Sequence, residues 1–289
     1  MNPAPPAAVQ GPLALVCGGG SLPLAVADHV AARGRRVLLF PMQGIAAPAD
    51  YERRDCTWVR IAQFGTLARR ARAENCSDVV LIGSLVRPAF WQMRFDWTTI
   101  KMLPRLAAAF RGGDNHLLTG VAKLIEQEGF RVVGAHEVAP EILVREGALG
   151  AVQPTVRDHA DVAFGLEYLR ATGAFDVGQA VVVAERHILA VEAAEGTDGM
   201  LARVAELRAS GRIRAPAGTG VLVKAAKPAQ DRRFDLPSIG PRTVEGVVRA
   251  GLAGLAVVAG ETIVAEPEQT VVAADKAAIF VVGVRGSAP

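Results

Sequence analysis

Short apolar runs alternate with helical periodicity along the first half of the chain. Residues 13–17 form an apolar run typical of a buried strand, and apolar positions then recur at helical spacing from Leu22 to Gly34. The pattern predicts further strands at 37–40, 79–83 and 130–133, and helices at 61–74, 98–111 and 116–128. This order of strand, glycine loop, helix and strand predicts a parallel α/β sheet.

The second half is also mixed α and β. Glycines and a weak helical period between Glu141 and Pro154 indicate a joint between domains. Beyond it, the pattern predicts a helix at 158–172 opened by Asp158, a hairpin at 181–192, a helix at 198–209, a strand at 220–224, a helix at 242–250 and a strand at 279–284. We therefore predict a disordered tail over 1–11, a Rossmann-like parallel α/β domain over 12–145 and a mixed α/β domain over 146–289.

Composition narrows the class of protein. Hydrophobic residues make up 51% and charged residues 21%, which excludes a disordered chain. Although the mean hydropathy is +0.26, no apolar run approaches the roughly 18 residues of a spanning helix. The N-terminus has no basic region followed by an apolar one, so it does not resemble a signal peptide.

Charge and cysteine content point to a cytoplasmic protein that does not bind nucleic acid. The formal net charge is only +3, and no basic block interleaved with aromatic residues is present. The three cysteines, Cys17, Cys56 and Cys76, lack metal-binding spacing and an even count. A reducing compartment is the default that follows.

Two loops after predicted strands are candidate ligand sites. Gly18 to Ser21 link a strand to a helix with Pro23 in its first turn, where backbone N–H groups and the helix dipole favour a phosphate. The loop over 83–88, with Gly83, Ser84 and Arg87, follows the third strand and could share that site. A tight βα turn without any ligand stays an alternative.

Several common enzyme motifs are missing from the sequence. The second strand ends in Pro41-Met42 without the acid that holds a dinucleotide ribose, which counts against NAD(P) chemistry. No Walker A lysine and no Gly-x-Ser-x-Gly elbow is present, and Pro140 replaces the second histidine of a zincin motif beginning at His136-Glu137. The His136-Glu137 pair is a candidate substrate contact, although a lone histidine is more often structural.

Charged residues cluster in two segments of the second half. Residues 224–241 combine four cations with Asp231 and Asp235, a set that could clamp phosphates and hold a divalent ion. Glu195 and Asp198 could be oxygen ligands of Mg²⁺. The alternatives are a solvated charged loop for the first segment, and a helix cap by Thr197 or Asp198 for the second.

Eight blocks in their order resemble one family, the LpxI-type UDP-2,3-diacylglucosamine pyrophosphatases of lipid A biosynthesis. The blocks are CGGGSLPLAVA (17–27), IGSLVRP (82–88), RGGDNHLL (111–118), GFRVVGAHEV (129–138), DVGQAVVV (176–183), AVEAAEGTDGML (190–201), VLVKAAKPAQDRRFDLPSIGP (221–241) and AGLAGLAVVAG (250–260). The resemblance implies Mg²⁺-dependent hydrolysis of UDP-2,3-diacylglucosamine to UMP and 2,3-diacylglucosamine 1-phosphate (lipid X), with water attacking the β-phosphorus. It also implies homodimers, two domains that hold the lipid between them, and allows peripheral contact with the cytoplasmic face of the inner membrane.

The resemblance assigns roles to individual residues. Asp235 matches the aspartate of the family's DLPTIG motif, with Ser238 in place of its threonine, and is expected to bind metal or activate water. Glu195 and Asp198 are supporting metal candidates. The remaining candidates are phosphate contacts at Lys224 and Lys227, and substrate contacts at Gly19, Gly20, Ser21, Gly83, Ser84, Arg87, His136, Glu137, Thr197 and Gln230. An NAD(P)-binding oxidoreductase and a non-catalytic lipid- or nucleotide-binding protein are the alternative functions.

Overall fold

The computed structural model describes residues 11–60, 63–84, 114–175, 177–227 and 231–286. The predicted helix at 98–111, Arg87, Gln230 and nearly all of the predicted tail lie outside these residues. The chain forms two compact units. Unit 1 comprises the chain up to Pro140 together with Asp231–Asp235, and unit 2 comprises Glu141–Gln230 and Leu236–Pro289.

Unit 1 contains a four-stranded parallel sheet. Its elements are β1 (Leu13–Cys17), α1 (Leu22–Ala32), β2 (Val37–Pro41), α2 (Phe64–Ala73), β3 (Asp78–Ile82), α3 (Asp114–Gln127), β4 (Arg131–Val132) and α4 (Ala135–Val138). The strand order is β2-β1-β3-β4. Every residue of β1 is buried, because α2 and α3 pack on the face of Ala14 and Val16 and α1 packs on the strands from the other side. The predicted parallel α/β class is confirmed.

Unit 2 contains a six-stranded mixed sheet and a two-stranded one. Its elements are β5 (Gly147–Ala148), α5 (Val156–Thr172), β6 (Ala180–Ala184), β7 (His187–Val191), α6 (Gly196–Ala209), β8 (Val221–Lys224), β9 (Ser238–Ile239), α7 (Pro241–Arg249), β10 (Gly254–Val258), β11 (Ile263–Val264), α8 (Pro267–Lys276) and β12 (Phe280–Val284). The order is β5-β12-β10-β8-β6-β7, with β12, β10 and β8 parallel, and β9 pairs with β11. The prediction of a mixed α/β second half is confirmed.

The start of α5 corrects one prediction. The helix begins at Val156 with Thr155 as its N-cap, not at Asp158. Asp158 is the third helical residue, and its carboxylate accepts hydrogen bonds from the Thr155 N–H and hydroxyl. The Asp158 N–H donates back to the threonine oxygen, which completes a capping box.

None of the described helices is long and apolar enough to cross a membrane.

A buried aspartate joins three elements of unit 1. Asp78 at the start of β3 is only 2% exposed and accepts hydrogen bonds from Arg35 Nη2 at 2.6 Å and Arg131 Nε at 2.8 Å. Burial raises the pKa of Asp78, but the two arginines outweigh burial and the net pKa lies below its ordinary value. The ion pairs therefore stabilise the fold above the unfolded pKa of about 4, and that stabilisation is lost as the pH falls through the lower folded pKa.

We expect Asp78→Asn to lower the free energy of unfolding by about 3 kcal/mol at pH 7, because it leaves the largely buried Arg35 without its anion. Urea unfolding at pH 7 and at pH 3 measures the effect. The difference between wild type and variant should shrink at the lower pH, where the native carboxylate is losing its charge. A difference that is the same at both pH values would contradict this assignment.

Candidate functional site

The glycine loop after β1 is joined to the loop after β3. The Gly18 N–H donates to the Ile82 carbonyl at 2.8 Å, and Gly19 and Ser84 exchange two backbone hydrogen bonds at 2.9 Å. A Cβ on Gly18 would lie 2.6 Å from the Ser84 oxygen, so this approach requires glycine. The predicted neighbours Gly19, Gly83 and Ser84 are thus brought together.

These hydrogen bonds limit which backbone N–H groups of the loop could bind a ligand. The N–H groups of Gly18 and Gly19 donate to carbonyls of the protein, so the candidate donors of this loop begin at Gly20, at the entry to α1. Gly20 has φ = +91° and open space where a Cβ would stand. The order β2-β1-β3 makes the carboxyl ends of β1 and β3 a topological switch point, where ligands of open α/β sheets bind.

The segment Asp231–Asp235 is anchored in unit 1. Phe234 packs against the core cluster that contains Val16 and Phe40. Arg233 donates to Glu126 of α3 at 2.8 Å and to Asp231 at 2.8 Å. The Asp231 carbonyl accepts a hydrogen bond from the Asp235 N–H at 3.3 Å, so a turn fixes the backbone of Asp235.

His136 and Glu137 lie beside this segment. A Cβ on Gly134 would lie 2.6 Å from His136 Nδ1 and 3.3 Å from the Arg233 Cα, so the imidazole and the segment approach the same glycine after β4. Glu137 Oε1 accepts a hydrogen bond from the Gly134 N–H at 2.6 Å, which gives this carboxylate a structural task. Burial lowers the pKa of His136, Glu137 opposes that effect and Arg232 adds to it. His136 Nδ1 is buried without a hydrogen-bond partner among the described residues.

A buried polar chain in unit 2 fixes Lys224. Lys224, 5% exposed, donates from Nζ to Thr197 Oγ1 at 3.1 Å and to the Ser238 carbonyl at 3.0 Å. The Thr197 hydroxyl in turn donates to Glu192 Oε1 at 3.0 Å, and Glu192 Oε2 accepts from the Gln179 N–H. Lys224 therefore holds the backbone three residues after Asp235. Lys227, the other lysine candidate, is half-buried beyond the end of β8.

The predicted cap and metal ligands at the start of α6 have other contacts. The N-cap position is Glu195 without a side-chain cap, so the interpretation of Thr197 or Asp198 as the cap is wrong. Glu195 forms an ion pair with Arg203 at 2.6 Å, and Asp198 forms one with Arg242 at 2.9 Å. Among the described residues, no three His, Cys, Asp or Glu side chains are grouped as metal ligands. The metal role of Glu195 and Asp198 stays a prediction.

Sequence reasoning missed three contributors to these arrangements. Glu192 gave a weak signal, as an acid at the end of an apolar hairpin strand. Arg233 was predicted only as one of four cations that could clamp phosphate, and its contact with Glu126 of α3 was not foreseen. Phe234 gave no signal, because an aromatic residue in a charged loop does not reveal that it packs on a core formed by residues more than a hundred positions away.

Comparisons with known proteins cover nearly the whole chain. The LpxI N-terminal domain family matches residues 12–142, and the LpxI C-terminal domain family matches residues 145–282. A relative from Caulobacter vibrioides, named UDP-2,3-diacylglucosamine pyrophosphatase LpxI, is 43% identical over 272 residues, which are 94% of this chain and 97% of the relative.

Among solved structures, the Bordetella bronchiseptica enzyme WbmG in complex with NAD and UDP aligns with this chain. The alignment covers 43% of this chain and 37% of the WbmG chain. The TM-score is 0.28 at 14% identity, which is too low to support a shared fold. The two domain matches and the Caulobacter relative carry the assignment: the chain belongs to the LpxI family.

Proposed function

We propose that the protein hydrolyses the pyrophosphate bond of UDP-2,3-diacylglucosamine to UMP and lipid X. The Caulobacter relative bears the name of that activity. The observation that carries the proposal here is that Asp235 belongs to the same compact unit as the glycine loop. An acid and backbone phosphate donors thus share one α/β unit whose sheet has a ligand-binding topology.

The reaction consumes one water. A bond forms between the water oxygen and the β-phosphorus, and the bond from that phosphorus to the bridging oxygen breaks, so that UMP leaves with the electron pair. In this proposal Asp235 either accepts a proton of that water or binds the metal. The donors at Gly20 and Ser21 would hold phosphoryl oxygens, and positioning with charge stabilisation would supply most of the rate.

Mg²⁺ is part of the proposal, and the donor set allows it. Mg²⁺ is commonly bound through one or two carboxylates plus substrate phosphates, so a single aspartate can suffice on the protein side. Asp235 is the best candidate, because it belongs to the same compact unit as the glycine loop, whereas Glu195 and Asp198 belong to unit 2. When bound, the ion would neutralise charge on the phosphoryl oxygens.

We expect purified protein with Mg²⁺ to release UMP from UDP-2,3-diacylglucosamine, and EDTA to abolish the release. Chromatography of UMP and lipid X measures both products. Zero turnover across divalent metals, together with saturable lipid binding, would instead indicate the non-catalytic alternative, and retention of NAD(P) would indicate the oxidoreductase.

Homodimerisation and contact with the inner membrane also belong to the proposal. Both come from the family resemblance. Light scattering and sedimentation with anionic vesicles would test them independently of turnover.

A further inference from the structure

A cavity of about 350 Å³ opens in unit 1 beyond the end of β2. Its lining residues are Gln43, Gly44, Pro48, Tyr51, Glu52 and Trp58. The volume falls within the range of roughly 300–1,000 Å³ that is typical of small-molecule sites. None of the roles predicted from the sequence uses this cavity.

Two aromatic rings form a fixed apolar part of the cavity. Trp58 meets Tyr51 edge to face, with ring centroids 5.7 Å apart and an interplanar angle of 71°. Tyr51 is only 3% exposed, so it supports the half-buried Trp58 from the protein side. A flat ring of a ligand could stack on such an indole with little loss of side-chain entropy.

The cavity surface is mainly apolar, and two polar side chains among its lining residues could bind a nucleoside. Arg60 Nε donates to Gln43 Oε1 at 2.6 Å, and because a guanidinium only donates, this contact fixes the amide with its oxygen toward Arg60. The amide NH₂ then becomes a donor for a carbonyl oxygen. Glu52 supplies an exposed carboxylate, the type of acceptor for ribose hydroxyls that is missing at the end of β2 itself.

The cavity adjoins the glycine loop. The Met42 N–H donates to the Cys17 carbonyl at 3.0 Å, and the Ile45 carbonyl lies 3.3 Å from where a Cβ of Gly19 would stand. The turn that carries Gln43 and Gly44 is thus packed against the loop that is our candidate for phosphate binding. A ligand with a base in the cavity could place its phosphates at that loop.

We infer that this cavity is the uracil subsite, in which the pyrimidine ring of a uridine diphosphate stacks on Trp58 and a uracil carbonyl accepts from Gln43. Uracil fits because it is flat and carries two carbonyl acceptors, whereas cytosine replaces one of them with an amino donor. This inference rests on the proposed function, since it takes UDP as the nucleotide part of the substrate.

The test measures binding rather than turnover. Calorimetry on the full chain with Mg²⁺ gives the Kd of UDP and, separately, of inorganic pyrophosphate, which lacks the base. We expect Trp58→Ala to weaken UDP binding at least tenfold and to change pyrophosphate binding less than twofold. Trp58→Phe should retain UDP binding within about threefold, because it keeps a stacking ring. Phe175→Ala, which removes an aromatic ring that is 77% exposed in unit 2, is the matched control and should change neither Kd.

A second variant keeps the test decisive if Trp58→Ala does not fold. Gln43 is exposed, so Gln43→Ala should fold and should lower the preference for UDP over CDP at least fivefold. Unchanged UDP binding in the variants, equal weakening of both probes, or no UDP binding by wild type would overturn the inference. Turnover by wild type with unaltered UDP binding in Trp58→Ala would overturn this subsite alone. Weakened UDP binding by Trp58→Ala, together with no turnover by wild type, would overturn the proposed reaction alone.

Discussion

Replacing Asp235 with asparagine should lower kcat for UMP release by about 10²–10⁴-fold, the range expected when a general base is removed. Asparagine keeps the shape of the side chain but has neither a basic carboxylate nor the charge that attracts a divalent ion. The turn that fixes residue 235 depends on its backbone N–H, which asparagine retains. Initial rates at saturating substrate measure the effect.

Asp231 is the matched control for Asp235, because both carboxylates belong to the same short segment of unit 1. Asp231 already hydrogen-bonds Arg233, and this contact lowers its pKa. Asp231→Asn should therefore reduce stability more than it reduces kcat, with a rate loss of about tenfold or less. Equal loss of kcat in the two variants would show that the rate depends only on the conformation of the segment, and would contradict a special role of the Asp235 carboxylate.

The strands of both units could be predicted because their burial leaves a direct signature. A strand covered on both faces is a continuous apolar run, as residues 13–17 and 37–40 illustrate, and a glycine with positive φ marks the helix end at Gly34. The junction of the glycine loop with Gly83 and Ser84 followed from topology, since both loops follow neighbouring parallel strands.

Contacts between distant parts of the chain could not be predicted in this way. Nothing in the local pattern around Phe234 distinguishes a solvated loop from a segment anchored in the core of unit 1. The cap of α5 was misplaced by three residues because Thr155 and Asp158 share the box, and either fits an N-cap. The cavity beside Trp58 depends on how a loop folds back on β2, which periodicity does not encode.

Replacing Lys224 with methionine is the second change for which we expect a large effect. Methionine has a similar length but cannot donate to Thr197 or to the Ser238 carbonyl, and it removes the lysine charge from the polar chain that continues through Thr197 to buried Glu192. Removing one partner of such a buried set costs about 3 kcal/mol or more. Urea unfolding measures the loss of stability, and kcat should fall about 100-fold because the backbone after Asp235 is no longer held.

The double variant Lys224→Met with Glu192→Gln separates positioning from mere stability. With both charges removed, the buried set is neutral and much of the free energy of unfolding should return, while kcat should stay low because the donor to Ser238 is still missing. The prediction from the sequence is instead that Lys224 contacts phosphate. In that case Lys224→Met would raise the KM and weaken pyrophosphate binding. If Lys224 instead positions the backbone, Lys224→Met would lower kcat and leave the Kd of pyrophosphate within about twofold of wild type. Recovery of kcat together with stability in the double variant would contradict both roles.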